Sequence, residues 1–363
     1  MSNILDYLKW RGDLTFSQDS FCDVDNLILS QLVYVELRDI VPADASQSIT
    51  LSDAADKFFQ LHKKQELLDH VSTTKNAIFV FQEMAKSERF RNAHLSRYIN
   101  EISETEQSQF SALTITLPDG SIYVAFSGTD ATLVGWHEDF NMLYLKETPG
   151  QNKALAYLDA LPVSDAPIRL GGHSKGGNLA IFAGMYCEDV IRQHVITIYN
   201  NDGPGFTQDV IASPSYQAIL PIIKTIIPES SIVGQLFEHP ETCIIIKSDN
   251  KGLRQHDAMS WQVMGRHFVP SKNLTNESVL ANQAIREWIA LIPKEKRKEI
   301  IEAVFSILDT AGIETVDDFL TVKLKDIRTI IHTKKKLPHE TSDSISDAAI
   351  LLIKIMIKTF ASS

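Results

Sequence analysis

Residues 168–182 read IRLGGHSKGGNLAIF, and this stretch decides the fold. It begins as a short β-rich run that ends in glycines, and it continues as an apolar run with helical spacing. A strand that turns sharply into a helix raises one side chain above the sheet, and so tight a turn requires very small residues two positions to either side. Gly172 and Gly176 meet that requirement around Ser174. The pattern predicts a nucleophile elbow with Ser174 as the attacking residue.

The same turn predicts a binding site for an anionic oxygen. Because backbone N–H groups and the dipole at a helix N-terminus favour negative charge, the amide of Lys175 is placed to donate to a developing oxyanion. In folds with such an elbow, the second donor comes from a loop after an earlier strand, and Thr129 follows the β-rich run that ends at Phe126. The alternatives are a chance Gly-x-Ser-x-Gly match and a phosphate-binding loop. The flanking strand and helix disfavour the first, and the lack of Walker spacing disfavours the second.

The elements around the elbow predict a mostly parallel sheet. Residues 112–117 and 122–126 are β-rich runs on either side of a Pro-Asp-Gly turn, which is typical of a hairpin. The elbow stretch is followed by a second β-rich run at residues 195–199, and strand, helix and strand in that order favour a parallel βαβ unit. Residues 243–247 predict a further strand.

Both ends of the chain have helical character. Apolar residues recur every three to four positions from about residue 25 to residue 40, over residues 51–109, which contain no Pro or Gly, and again beyond about residue 269. Residues 213–238 match neither the helical nor the strand pattern. We predict an α/β fold with helical additions, divided into an N-terminal helical segment (1–109), a catalytic core (110–268) and a C-terminal helical region (269–363).

A catalytic base and a catalytic acid are expected after the nucleophile, in loops that follow strands. His256 follows the predicted strand at residues 243–247, whereas His194 and His239 precede strands and His267 is the other contender. The spacing therefore favours His256 as the base.

Two aspartates are candidates for the acid. Asp202 directly follows the run at residues 195–199 and is followed by the rigid turn Gly203-Pro204-Gly205, whereas Asp249 follows the later strand. Asp202 is favoured as the acid, with Asp249 as the alternative. The non-catalytic interpretation of either residue is an aspartate that only forms a turn.

Several of these residues resemble a known family. The segments Val124-Ala125-Phe126-Ser127-Gly128-Thr129, Trp136-His137-Glu138-Asp139 and Gly172-His173-Ser174-Lys175-Gly176-Gly177 are similar to the class 3 (fungal-type) lipases of the α/β-hydrolase superfamily. A nearer likeness, to the Mbeg-like bacterial family of lipase-like proteins, adds Tyr7-Leu8-Lys9-Trp10, Val24-Asp25-Asn26-Leu27, Asn201-Asp202-Gly203-Pro204-Gly205 and Gln255-His256-Asp257.

This resemblance implies an α/β-hydrolase fold with Ser174 as nucleophile, Thr129 and Lys175 at the oxyanion hole, and a later histidine as base. The chain departs from the class 3 pattern in one respect. Those lipases place an aspartate before a Val-Pro pair, and the nearest stretch here, Pro228-Glu229-Ser230-Ser231-Ile232-Val233-Gly234, contains none. The acid therefore does not transfer directly from the class 3 lipases.

The bulk composition excludes several classes of protein. The 363 residues are 44% hydrophobic and 22% charged, which is sufficient for a large core. A formal net charge of −11 argues against nucleic acid as a partner. The three cysteines lack the paired spacing of a zinc or redox site, so we expect reduced structural thiols. No signal-peptide pattern opens the chain and no apolar run is long enough to span a bilayer, so we expect a cytoplasmic protein without an integral membrane segment.

The constellation predicts a serine hydrolase that cleaves a carboxylic ester through an acyl-enzyme on Ser174. The expected partner is a small acyl ester or a lipid-like substrate, and neither a cofactor nor a metal is expected. Transfer of the acyl group to an alcohol or amine, and a binding protein that has lost turnover, are the alternatives.

Two further residues close to these motifs in the sequence are given non-catalytic interpretations or left open. Asp139 is interpreted as a structural hydrogen-bond acceptor, and His173 either lines the site or packs against a strand.

Overall fold

The computed structural model describes residues 1–62, 76–103, 108–129, 140–142, 144–310 and 343–360. Within these ranges the chain builds an eight-stranded sheet whose strands lie side by side in chain order. They are β1 (Ile49–Thr50), β2 (His94–Ser103), β3 (Ser108–Thr116), β4 (Ile122–Phe126), β5 (Ile168–His173), β6 (Val195–Asn201), β7 (Ile223–Pro228) and β8 (Ile244–Ile246). Strands β1 to β4 are antiparallel, and β4 to β8 are parallel.

Two of the predicted local units are confirmed. The Pro-Asp-Gly turn joins β3 and β4, and Gly120 has the positive φ of 82° that favours glycine in such a turn. Strand β5, the following helix and β6 form the expected parallel βαβ unit. The predicted strand at residues 243–247 is β8, which pairs with β7 in the stretch that could not be assigned.

The connections between the parallel strands cover one face of the sheet. Each right-handed crossover joins a strand to the next strand in the sheet, so all of the crossovers pass over the same face. Their helices therefore pack side by side on that face. These helices are α5 (Pro149–Asp159), α6 (Lys175–Tyr186), α7 (Asp189–Arg192), α8 (Gln208–Ile211) and α9 (Pro214–Ile219). Their apolar residues form one core with alternate strand residues such as Val124, Leu170 and Ile198.

The N-terminal helices cover the opposite face. They are α1 (Ile4–Arg11), α2 (Asp23–Leu32), α3 (Leu51–Leu61) and α4 (Asn76–Lys86). Their apolar residues pack against the other set of alternate strand residues, including Ile115, Tyr123 and Ala125. A parallel sheet needs apolar residues packed against both of its faces. The crossover helices bury one face, and the N-terminal helices bury the other.

Helix α2 is anchored by a buried ion pair. Arg89 and Asp25 are both fully buried, and the Arg89 Nη2 lies 2.6 Å from the Asp25 Oδ2. The same carboxylate accepts hydrogen bonds from the Tyr7 hydroxyl at 2.9 Å and from the Cys22 amide at 2.8 Å. Removal of one partner would leave a buried charge uncompensated, so this cluster holds α1, α2 and the turn after α4 together.

Residues 51–109, where helices were predicted, contain α3 and α4 and, in addition, a strand that was not predicted. Strand β2 occupies His94–Ser103, and it carries a register shift between Ser96 and Ile99, where Arg97 has a φ of 55°. This irregularity breaks the period-two alternation by which a strand is identified in a sequence. The predicted boundary at residue 110 falls inside β3, so the segment before it supplies part of the sheet as well as helices.

The C-terminal region contains α10 (Asn276–Leu291), α11 (Arg297–Thr310) and α12 (Asp343–Phe360), which share a separate apolar core. That core includes Ile232 and is packed against by Val233 and Leu236, which lie in the loop after β7. Phe140 also meets α11, with its ring centroid 5.7 Å from that of Phe305. Among the helices that the structure describes, none is sufficiently long and apolar to cross a membrane. The mostly parallel sheet and its two helical layers form an α/β-hydrolase fold.

Candidate active site

Ser174 lies at the turn between β5 and α6 with a strained backbone. Its φ of 59° and ψ of −135° belong to a region that residues with a Cβ rarely adopt, and such strain costs about 1–3 kcal/mol. Close backbone approach requires the flanking glycines: a Cβ on Gly172 would collide with the carbonyl carbon of Gly176, and a Cβ on Gly176 would collide with the carbonyl oxygen of Phe126. The structure places these three predicted residues in the arrangement of a nucleophile elbow.

Lys175 has two separate roles in the fold. Its backbone begins α6, where helix N–H groups point towards the region above Ser174. Its side chain is fully buried, and the ammonium donates to the carbonyl oxygen of Gln109 at 2.9 Å. The ammonium therefore binds to the neighbouring part of the sheet, and the backbone amide is the predicted donor at the oxyanion site.

The loop after β4 lies directly against the elbow. A Cβ on Gly128 would lie 2.6 Å from the His173 carbonyl oxygen and 2.8 Å from the Ser174 Cβ, so only glycine allows this approach. Thr129 follows as the last described residue of the loop, and it is partly buried. The motif Trp136-His137-Glu138-Asp139, including the structural role predicted for Asp139, lies outside the described residues.

His256 and Asp202 are brought together by the structure. The His256 Nδ1 lies 2.6 Å from the Asp202 Oδ2, although 54 residues separate them in the chain. Asp202 is almost fully buried, and its Oδ1 accepts hydrogen bonds from the Ser231 hydroxyl and, at 3.2 Å, from the Gly234 amide. Because these two donors hold Oδ1, the other carboxylate oxygen is oriented towards the imidazole.

This pair lies beside Ser174. A Cβ on Gly203, the residue after Asp202, would collide with the carbonyl oxygen of Ser174. The rings of His256 and His173 lie 4.5 Å apart between centroids, and His173 directly precedes Ser174. The loops after β4, β5, β6 and β8 therefore converge at the carboxyl ends of the strands, where open α/β sheets bind ligands.

Asp249, the alternative acid, is engaged elsewhere. Its carboxylate lies 2.7 Å from the N-terminal ammonium of Met1 and accepts a hydrogen bond from the Gln262 amide, also at 2.7 Å. The hydrogen bond from the ammonium lowers the pKa of Asp249. Its position therefore gives Asp249 a role in holding the N-terminus.

The other histidines that were weighed as bases have different surroundings. The side chain of His239 is largely buried and lies 3.0 Å from the Glu241 carboxylate, whereas His194 is half-buried next to Gln193. His267 is exposed on a short strand at His267–Phe268. None of these three has a described contact with Asp202.

His173 holds the loop that carries His256. Its Nε2 lies 2.7 Å from the backbone carbonyl oxygen of His256, and because a carbonyl only accepts, the Nε2 must carry the proton. Burial and the neighbouring His256 lower the pKa of His173 well below its ordinary value of 6.5. His173 therefore packs as a neutral ring that fixes the His256 loop.

This buried neutral histidine predicts acid sensitivity. Below pH 6.5 the unfolded chain binds a proton at His173 that the folded chain excludes, so the free energy of unfolding falls as the pH falls through this window. The His173→Gln variant is expected to reduce the dependence of the free energy of unfolding on pH in this range, by up to about 1.4 kcal/mol per pH unit. Urea unfolding at several values between pH 7.5 and pH 5 measures it.

The matched control for this prediction is His267→Gln, at an exposed histidine, which is expected to keep the wild-type slope. The same slope in His173→Gln and wild type would contradict the assignment of a neutral, buried imidazole at position 173.

Several residues at the site were not anticipated from the sequence. Tyr34 contacts the loop after β4, and Ser231 and Gly234 bind Asp202. Asn201 donates to the carbonyl oxygen of Gly172 at 3.1 Å and accepts from Asn26 at 2.8 Å. The only signal for the two asparagines is that both lie in segments of the family resemblance, and this signal does not indicate what they contact.

The three cysteines have the character of structural thiols. All are free thiols, and burial raises the pKa of Cys22 and Cys243 to about 12 and that of Cys187 to about 11. They are protonated structural residues, as the spacing predicted, because only the thiolate is a good nucleophile.

The comparisons with known proteins cover part of the chain. No curated protein sequence matches it significantly. The chain is similar to a solved structure described as the crystal structure of M37 lipase, with 16% sequence identity, a TM-score of 0.38 and coverage of 58% of this chain and 68% of the other. The Mbeg1-like family model matches residues 84–306, more than half of the chain. The protein therefore belongs to the Mbeg1-like family.

Proposed function

We propose that this protein is a serine hydrolase that cleaves carboxylic esters through an acyl-enzyme on Ser174. The observation that carries the proposal is the hydrogen-bonded pair of Asp202 and His256 in loops beside a strained serine elbow. A serine hydroxyl is a weak nucleophile unless a base accepts its proton, and an acid that orients this base completes the arrangement. Membership of a lipase-like family supports an ester as the substrate.

The hydrogen bond to Asp202 determines which imidazole nitrogen acts. When the His256 Nδ1–H donates to the carboxylate, the lone pair of the neutral ring is on Nε2. In the proposed first step, Nε2 takes the Ser174 hydroxyl proton while Oγ attacks the ester carbonyl carbon. The carbonyl oxygen becomes an oxyanion, for which the amides of Thr129 and Lys175 are the proposed donors.

The intermediate then collapses. The ester C–O bond breaks, the departing alcohol oxygen takes the proton from Nε2, and the acyl group remains on Ser174. Water repeats the sequence: Nε2 takes one of its protons, the hydroxide oxygen attacks the acyl carbon, and Ser174 recovers its proton as the carboxylic acid leaves. Asp202 stabilises the imidazolium in both halves of the reaction.

A fluorophosphonate probe tests the proposal, because it reacts only with a serine that a base activates. Wild type is expected to incorporate one probe per chain, on the peptide that contains Ser174, and Ser174→Ala is expected to incorporate none. The exposed Ser17 provides the matched control, since Ser17→Ala removes a serine of the N-terminal segment and should label as wild type does.

Hydrolysis of p-nitrophenyl esters from two to sixteen acyl carbons then separates an esterase from a lipase by chain-length preference. Failure of the wild type to label, or labelling that persists in Ser174→Ala, would overturn the proposed function. A binding protein without turnover would be unlabelled, and the hydrogen bond between His256 and Asp202 supports the proposed hydrolase over that alternative. Products formed with an added alcohol would reveal acyl transfer.

A further inference from the structure

Tyr34 joins the loop after β4 to the elbow through one hydroxyl group. The backbone amide of Gly128 donates to the Tyr34 hydroxyl at 2.8 Å, and this hydroxyl donates to the carbonyl oxygen of His173 at 3.2 Å. A phenol accepts and donates simultaneously, so the two bonds are compatible. They connect residues that lie 94 and 139 positions away from Tyr34 in the chain.

We infer that Tyr34 is a positioning residue that holds the loop of Gly128 and Thr129 against the nucleophile. The inference rests on the proposed function, in which Thr129 supplies a donor to the oxyanion. Gly128 cannot supply that donor while its amide is bonded to Tyr34. The Tyr34 hydroxyl therefore sets the position of a loop whose next amide acts in the reaction.

The packing explains why the loop needs such a link. Gly128 lies so close to His173 and Ser174 that a single added carbon would collide with both. The elbow carbonyl of His173 and the Gly128 amide are both polar groups in a tightly packed interface, and Tyr34 satisfies both with one hydroxyl. Loss of the hydroxyl would leave both groups to find other partners, and the loop would shift to reach them.

Tyr34 is itself held by a rigid support. It lies two residues beyond α2, and its amide donates to the Gln31 carbonyl oxygen at 3.2 Å. Helix α2, which precedes Tyr34, is attached to the strands of the sheet through the side chain of Asn26. Its Nδ2 donates to the Asn201 Oδ1 at 2.8 Å, and its Oδ1 accepts from the Tyr123 hydroxyl at 2.7 Å. The position of the loop therefore depends on a helix on the face of the sheet opposite α6.

The Tyr34→Phe variant tests the inference because it keeps the ring and removes only the hydroxyl. The stabilisation that an N–H donor gives to the oxyanion depends on the distance between them. A displaced loop should therefore lower kcat for p-nitrophenyl acetate by about 10- to 100-fold and change KM less than about threefold. Labelling of Ser174 by the fluorophosphonate should slow to a similar extent. Hydrogen exchange of the amides in a peptide covering residues 127–129 should become faster.

Tyr7→Phe is the matched control. It also removes a buried tyrosine hydroxyl from the N-terminal segment, in this case one bonded to the Asp25 carboxylate at 2.9 Å. Since hydrogen bonds to charged groups contribute more than neutral ones, it should lower Tm at least as much as Tyr34→Phe does. Its kcat should stay within twofold of wild type, and exchange at residues 127–129 should not change.

Each outcome separates the inference from the proposed function. A wild type that neither labels nor hydrolyses esters overturns the proposed function, while exchange at residues 127–129 still decides whether Tyr34 holds the loop. A labelled wild type with unchanged kcat and exchange in Tyr34→Phe overturns the inference alone. Equal loss of kcat in Tyr34→Phe and Tyr7→Phe also overturns it, since general destabilisation would then be the cause.

Discussion

The Ser174→Ala variant is expected to hydrolyse p-nitrophenyl esters about 10⁶-fold more slowly than the wild type. Without the hydroxyl no acyl-enzyme forms, and the remaining activity comes only from substrate binding and oxyanion donors acting on water. The measurement is kcat under saturating substrate, with circular dichroism to establish that the variant is folded. A loss of less than about tenfold would assign the nucleophile to another residue.

Glycine at the same position provides a control that reports on the backbone. Ser174→Gly should be as inactive as Ser174→Ala, but its free energy of unfolding should be about 1 kcal/mol higher. Alanine retains the Cβ that is strained at a φ of 59°, whereas glycine relieves this strain, which exceeds the entropy that glycine loses on folding. Urea unfolding of both variants measures the difference. A less stable Ser174→Gly would contradict the strained geometry of the elbow.

The Asp202→Asn variant is expected to lower kcat by about 10⁴-fold. Asparagine has nearly the same shape, but its amide nitrogen cannot accept the His256 Nδ1–H or stabilise the imidazolium. The Ser231 and Gly234 donors retain an acceptor in the amide oxygen, so the local fold should persist. The measurement is kcat for p-nitrophenyl acetate from pH 6 to pH 9.

Asp249→Asn is the matched control for this change. Its carboxylate contacts Met1 and Gln262, so kcat is expected to stay within about threefold of wild type while Tm falls slightly. The reverse result, with Asp249→Asn inactive and Asp202→Asn active, would exchange the two roles. The pair of variants therefore decides between the two acids that the sequence left open.

The local units of the fold were predictable because their signals lie within a few residues of one another. The elbow, the hairpin at Pro118-Asp119-Gly120 and the βαβ unit each combine a turn residue with adjacent periodic runs. Strand β2 was missed because the irregularity at Arg97 interrupts its alternation. Strand β7 was missed because its surroundings, rich in Ile, Pro and Ser, obscured its limits.

The sequence by itself determined the nature of the elbow, since Gly172, Ser174 and Gly176 meet a steric requirement that is entirely local. It also restricted the acid to two aspartates that each follow a predicted strand. Only the tertiary structure decided that Asp202 lies at His256, that Asp249 holds Met1, and that Tyr34 contacts both Gly128 and His173. The physical reason is that these contacts join residues 54 to 248 positions apart. Such contacts depend on how helices and loops pack over the sheet, which no local pattern of residues specifies.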